Sequence, residues 1–284
     1  MLQFDATREA TPTKDAATII VLRDLGAQGF EVLFVKRAAG SQFMGGAYVF
    51  PGGKLDAADS APSLIAAARG RTASDAAAAL NESEDAAKSV ALYIAAIRET
   101  FEEAGILFAD LPIAADRDSL RMRLASGAPF AALMEEAGAA LRLDALVPHA
   151  RWVTPAAEPR RFDARFFLAR APADQRAQHD DHEATDSVWL TPQDALARAA
   201  KHEIQLPPPT LRTLELLSEF VSADEALKVS ANRKPPYVWP VFKDDEGVHT
   251  LLLPGDREHP EKARALDGPT RFILRADGRW ESRD

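Results

Sequence analysis

IAAIRETFEEAGI, residues 94–106, is the stretch that decides the fold. On a helix at 100° per residue, Val90, Ile94, Ile97 and Phe101 fall within about 60° of one another and form an apolar stripe. Glu99, Glu102 and Glu103 lie within about 100° on the opposite side. One helix therefore buries an edge and lifts three carboxylates together. Arg98 sits beside them, where it either holds one carboxylate in place or offsets charge. Gly105 is the stop signal. Ser83, followed by Glu84 and Asp85, is the predicted N-cap.

Carboxylates three and four residues apart repel by roughly 3 kcal/mol per pair at an effective dielectric of about 20. On an exposed face salt and rotamer freedom reduce this, and a solvated face is the ordinary reading of two or three glutamates. In a cleft a hard divalent cation removes the repulsion, because Mg²⁺ takes oxygen ligands and bridges carboxylates to substrate phosphates. The fuller pattern Arg-Glu-x-x-Glu-Glu-x-Gly is expected by chance on the order of once per thousand chains of this size. The PGGKLD loop (51–56) upstream makes chance a weaker account still.

Working outward, AATIIVL (16–22) and FEVLFVKR (30–37) read as two strands joined by a turn with Gly26 and Gly29. GSQFMGGAYVFPGGKLD (40–56) reads as a strand entering a tight, backbone-led loop. The alanine-rich residues 60–82 predict one or two short helices. GILFA (105–109) predicts a strand, 116–142 helix, and ARWVTPA (150–156), RRFDARFFLARA (160–171) and SVWLT (187–191) strands. TPQDALARAAK (191–201) opens with a threonine–proline helix start. LPPPTLRTLELLSEF (206–220) carries Leu211, Leu214, Leu217 and Phe220 on one stripe. Residues 235–256 and 268–282 predict two hairpins with DEG and ADG turns. The whole is a layered α/β domain with a C-terminal β appendage.

The chain has 284 residues, 46% hydrophobic and 27% charged, with a net charge of −9 and no cysteine. Disulfides, thiolate metal sites and cysteine nucleophiles are excluded, and a whole-chain basic footprint for nucleic acid is absent. No apolar run reaches the roughly 20 residues of a membrane helix, and no signal segment is evident at the N-terminus. The expectation is a cytoplasmic protein with no nucleic-acid or membrane partner. Neither a Gly-x-Ser-x-Gly elbow nor a P-loop lysine occurs.

GGKLDAAD (52–59) followed by RETFEEAGI (98–106) resembles the two halves of the box of the Nudix hydrolases, Gly-x5-Glu-x7-Arg-Glu-U-x-Glu-Glu-x-Gly-U, where U is a bulky aliphatic. Gly53 matches the first glycine, and Arg98, Glu99, Glu102, Glu103, Gly105 and Ile106 match the end. Asp59 stands at the first glutamate and Thr100 at an aliphatic. The arginine expected at 67 stands at 98, an insertion of 31 residues. An insertion there, with GSQFMGGAYVFPGGKLDAAD (40–59), RRFDARFFLA (160–169) and EATDSVWLTPQDAL…LPPPT (183–210), resembles the acyl-coenzyme A diphosphatase branch.

The resemblance implies a Nudix-type α/β/α sandwich with a mixed sheet, a helical insertion (about 60–88) within a hydrolase domain at 10–225, and a β-rich extension at 226–284. It implies cleavage of a diphosphate linkage with Mg²⁺, or Mn²⁺, on Glu99, Glu102, Glu103 and the Gly53 backbone. Gly52, Arg98 and Gly105 are then structural. Coenzyme A or acyl-CoA is the favoured substrate, giving 3′,5′-ADP and (acyl) 4′-phosphopantetheine. Alternatives are ADP-ribose, NADH, a nucleotide-sugar or a dinucleoside polyphosphate, or a non-catalytic nucleotide-sensing module. A homodimer is a family-level expectation.

The resemblance also makes Glu183, six residues before Trp189, an acidic candidate for the metal site or the base, against an ordinary strand-edge glutamate. HDDHE (179–183) is read as a solvated loop rather than a second metal site. Arg37, Arg161 and Arg165 are candidates for substrate phosphate. For the latter two, which share a strand face with Asp163, the alternative is a charged outer face with an Arg–Asp pair. Phe43, Tyr48 and Trp152 either stack on adenine or belong to the core.

Overall fold

The structure is a computed structural model that describes residues 5, 9–38, 45–82, 85–177 and 184–284, with the side chains of 184–185 excepted. The chain begins with strands β1 (Lys14–Asp24), β2 (Phe30–Arg37), β3 (Tyr48–Val49) and β4 (Gly52–Lys54). The insertion follows as helix α1 (Pro62–Ala67), strand β5 (Ala68–Arg69) and helix α2 (Ala73–Leu80). Helix α3 (Ala86–Ala104) leads to β6 (Ala109–Asp110), α4 (Arg117–Ala125), α5 (Phe130–Glu136) and β7 (Ala140–Arg142). Then come β8 (Val147–Val153), β9 (Phe162–Arg170), β10 (Ala184–Leu190), α6 (Pro192–Ala200), α7 (Pro208–Leu217) and α8 (Ala223–Ala231). The last strands are β11 (Tyr237–Val238), β12 (Val241–Asp245), β13 (Val248–Leu252), β14 (Arg271–Leu274) and β15 (Trp280–Arg283).

The main sheet runs β10-β2-β1-β9-β8-β11, with β3 added to β2 and β4 to β1. It is mixed: β1–β9 and β8–β11 are parallel and the other pairs antiparallel. Alternation along β1 explains the layering. Ala17, Ile19 and Val21 face α3 in one core, while Ile20 and Leu22 face Leu214 and Leu217 of α7 in the other. The sheet therefore lies between two helical layers. The strands β12 to β15 form a separate sheet, whose Leu251, Phe272 and Trp280 join the α7-side core.

The predicted stripe is buried as read: Val90, Ile94, Ile97 and Phe101 are all at most 4% exposed. Four details differ. Helix α3 is capped by Asp85, whose carboxylate accepts the Lys88 N–H at 2.9 Å, while Ser83 lies outside the described residues. GILFA is strand only from Ala109. Ile106, Leu107 and Phe108 are buried coil, the Leu107 backbone pairing with the Gln175 amide at 2.8 and 2.9 Å. A side chain there does the work of a partner strand. Helix in 116–142 breaks into α4 and α5 and ends in β7. Helix α8, capped by Ser222 on the Glu225 N–H, is additional to the predicted elements.

Candidate functional site

β4 brings Gly52 and Gly53 against the C-terminal half of α3. The Gly52 N–H donates to the Glu103 carboxylate at 2.9 Å. A Cβ on Gly53 would lie 2.5 Å from the Glu99 carboxyl carbon, and one on Gly52 would meet the Ala17 carbonyl oxygen at 2.5 Å. The two glycines thus answer different neighbours: Gly52 the backbone of β1, Gly53 the space occupied by a carboxylate.

Arg98 organises the rest. Its guanidinium donates through Nε and Nη2 to Asp59 at 2.7 and 3.0 Å, through Nη1 to Glu99 at 2.8 Å, and through Nη2 to the Lys54 carbonyl at 3.0 Å. Glu102 stands 3.6 Å away. Burial alone would lower the Arg98 pKa; the Asp59 bond and the charges of Glu99 and Asp59 overrule it and hold the group protonated above its ordinary value. Asp59 is 1% exposed and sits in the turn that opens the insertion, where it also accepts the Asp56 N–H at 2.8 Å. The residue that departs from the box pattern is therefore the buried anchor of its arginine. Thr100, the other departure, is fully buried with a hydroxyl that has no hydrogen-bond partner among the described residues.

Arg98 stands between two of the glutamates, and the third turns to β4. Glu99 is drawn to Arg98, Glu103 (6% exposed) to the Gly52 amide, and the Glu102 side chain is 41% exposed. Among the described residues no three acidic or histidine side chains are already gathered around one metal position. The donor chemistry nonetheless fits a hard dication: three carboxylates on the last two turns of one helix, facing a glycine backbone that leaves them room. Gly53→Ala tests that room. The methyl meets the movable end of Glu99, so the fold holds, with the melting temperature shifting by less than about 3 °C, while the displaced carboxylate lowers turnover about tenfold or more. Calorimetry and steady-state rates together check it.

The remaining candidates separate. Arg37 follows Leu33 and Val35 on the α3 face of β2, and its Nε is buried with no hydrogen-bond partner among the described residues. Arg161 and Arg165, candidates for phosphate, both have partners within the protein, and Arg165 is buried rather than on an outer face. Arg161 donates to the Thr154 and Thr11 carbonyls at 3.1 and 2.6 Å. Arg165, 2% exposed, places Nε and Nη2 on Glu82 at 2.7 Å each and Nη1 on Asp15 and the Asp163 carbonyl. Lys88, in the first turn of α3, bonds the same Asp15. It is eleven residues, about 16 Å of helix axis, from Glu99. Trp152 is 4% exposed in the α7-side core. Tyr48 donates to Asp186 at 3.2 Å beneath Lys36. Phe43, Glu183 and the rest of HDDHE lie outside the described residues. Sequence reading missed the Glu82–Arg165 pair because its partners are 83 residues apart.

The site is thus a Gly-Gly strand laid against a glutamate-bearing helix end, on a mixed sheet between helical layers. The family model of the NUDT19 Nudix domain matches residues 8–217. The chain is 30% identical over 275 residues to a Xenopus laevis protein named acyl-coenzyme A diphosphatase NUDT19, covering 82% of this chain and 72% of the relative. It is 31% identical over 285 residues to the Gallus gallus protein of the same name, covering 84% and 75%. A NUDIX hydrolase crystal structure from Alicyclobacillus acidocaldarius superposes with a TM-score of 0.63 at 28% identity, over 77% of this chain and 96% of that one. The chain belongs to the NUDT19 Nudix domain family. No described helix is long and apolar enough to cross a membrane.

Proposed function

We propose that this chain is a metal-dependent Nudix pyrophosphohydrolase that cleaves the diphosphate of coenzyme A or an acyl-CoA, giving 3′,5′-ADP and (acyl) 4′-phosphopantetheine. The observation that carries the chemistry is the packing of Gly53 on the Glu99 carboxylate, with Arg98 and Asp59 behind it. The substrate follows from the relatives named acyl-coenzyme A diphosphatase. In this reading residues 10–225 form the catalytic unit, and the β-rich extension at 226–284 completes it by supplying most of α8 and the main-sheet strand β11.

Glu99, Glu102, Glu103 and the Gly53 backbone would hold Mg²⁺ or Mn²⁺. When bound, the ion offsets charge on the bridging phosphates and activates the attacking water. The protein's own share is positioning, which is most of what phosphoryl transfer demands. Glu103 fixes the Gly52 amide, Arg98 fixes Glu99, and Arg37 is kept as the candidate for a substrate phosphate. Glu183 is kept as the candidate base. Arg161 and Arg165 serve the fold.

The test is a substrate panel of coenzyme A, an acyl-CoA, ADP-ribose, NADH, a nucleotide-sugar and a dinucleoside polyphosphate, each with Mg²⁺ or Mn²⁺. The expected result is release of 3′,5′-ADP from the coenzyme A compounds, with kcat/KM at least about tenfold above the others, a difference of about 1.4 kcal/mol in transition-state binding. Turnover of only another member would move the substrate while keeping the hydrolase. Tight binding with no turnover of any would favour the nucleotide-sensing module.

A further inference from the structure

The end of α3 is an electrostatically poor place for three glutamates. The helix C-terminus carries the negative end of the macrodipole, its last carbonyls lack intrahelical partners, and the carboxylates repel one another. Gly105, at φ 71°, returns its N–H to the Phe101 carbonyl at 3.0 Å. The next carbonyl, that of Glu102, is taken by another helix. Arg121 of α4 donates to it through Nε at 3.3 Å and Nη2 at 2.9 Å. The guanidinium lies over Gly105, where a Cβ would come to 3.0 Å from Nη1. Glycine at this position both ends the helix and leaves space for the arginine. The glutamate turn is thus bracketed by two guanidiniums, Arg98 on its flank and Arg121 at its end.

We propose that Arg121 is a positioning residue for this turn: by holding the Glu102 carbonyl it fixes the backbone from which Glu102 and Glu103 project toward the divalent cation. This rests on the role assigned above to those glutamates. Two opposed effects make the sign informative. A guanidinium near a dication repels it, so a residue that merely added positive charge would weaken metal binding, and its removal would tighten it. A residue that prepares the turn does the reverse, because its loss lets the last turn fray and the carboxylates spread.

The experiment measures Mn²⁺ affinity of the full chain by electron paramagnetic resonance without substrate, alongside kcat, KM and hydrogen exchange over residues 101–107. Arg121→Met is expected to weaken Mn²⁺ binding about tenfold, to lower kcat about tenfold with KM changed less than about threefold, and to speed exchange in that segment. Arg121→Lys, with one point donor in place of a two-nitrogen fork, should fall between the two. Arg123→Met, which removes only an exposed pair with Glu136, should match wild type. Unchanged or tighter Mn²⁺ binding in Arg121→Met overturns the proposal. If that variant does not fold, Arg121→Lys decides: weaker binding supports the proposal and wild-type binding overturns it. Glu102→Gln separates the two levels. If it weakens Mn²⁺ binding while Arg121→Met does not, the Arg121 proposal alone falls; if it leaves Mn²⁺ binding unchanged, Glu102 leaves the metal site and the proposal, which needs Glu102 to project toward the cation, falls with it.

Discussion

Glu102→Gln leaves the protein folded and cuts turnover by about two orders of magnitude or more in saturating Mg²⁺. The first half follows from environment. The Glu102 side chain is 41% exposed, and its Arg98 contact is a loose 3.6 Å. An amide of the same shape removes repulsion from Glu99 and Glu103, each one turn or less away, so the helix loses little and the melting temperature stays within a few degrees. The second half follows from the proposed role. A neutral amide oxygen is a poor substitute for a carboxylate on a dication, and loss of a few kcal/mol at the transition state is about a hundredfold in rate. Steady-state kinetics across a Mg²⁺ titration check it. A rate near wild type at saturation would take Glu102 out of the metal site, whatever the other two glutamates do.

Much of this was legible in the chain because the signals were local. The stripe Val90–Ile94–Ile97–Phe101 fixes which side of α3 is buried, and that fixes where Glu99, Glu102 and Glu103 point. Gly105 ends the helix in a left-handed turn as its position implies. What sequence did not disclose depends on contacts without a local signature. Asp59 looks like a lapse from the box pattern until the turn that opens the insertion is built; there the shorter side chain is buried and grips Arg98 with both oxygens. Arg121 recognises a main-chain carbonyl, a group every residue presents, so no residue type at its partner could have marked it. The alternation of RRFDARFF put Arg161 and Arg165 on one strand face; β9 starts at Phe162, so only Arg165 is on the strand. It could not say what covers that face, and the cover proves to be Glu82, from the far end of the insertion.

That cover sets up the largest expected stability effect, Arg165→Met. Three acidic neighbours converge on a guanidinium that is 2% exposed: Glu82 through two bonds, Asp15 through one, and Asp163 through its carbonyl and a 3.4 Å ion pair. Removing the cation leaves carboxylates facing one another in a half-buried cleft, and breaking a buried pair in this way costs about 3–5 kcal/mol. Arg151 remains on Asp163 and Lys88 on Asp15, which places the loss near the lower end. A loss of about 3 kcal/mol lowers the melting temperature of a chain this size by about 6–12 °C. Burial would raise the Asp15 pKa, but the Lys88 bond and the Arg165 charge pull it below its ordinary 3.8. The stability from that shift is present above pH 3.8 and is lost as pH falls through the lowered value, so wild type and variant should converge on acidification. Glu82→Leu in the same chain removes the carboxylate left with the weakest partner, 3.5 Å from Arg151, and should restore part of the loss, a coupling of about 1 kcal/mol or more in a double-mutant cycle. KM for the cleaved substrate should stay within about twofold, because the guanidinium is spent inside the protein. A KM raised tenfold with an unchanged melting temperature would return Arg165 to the substrate, and would mean that the insertion opens at Glu82 when substrate binds.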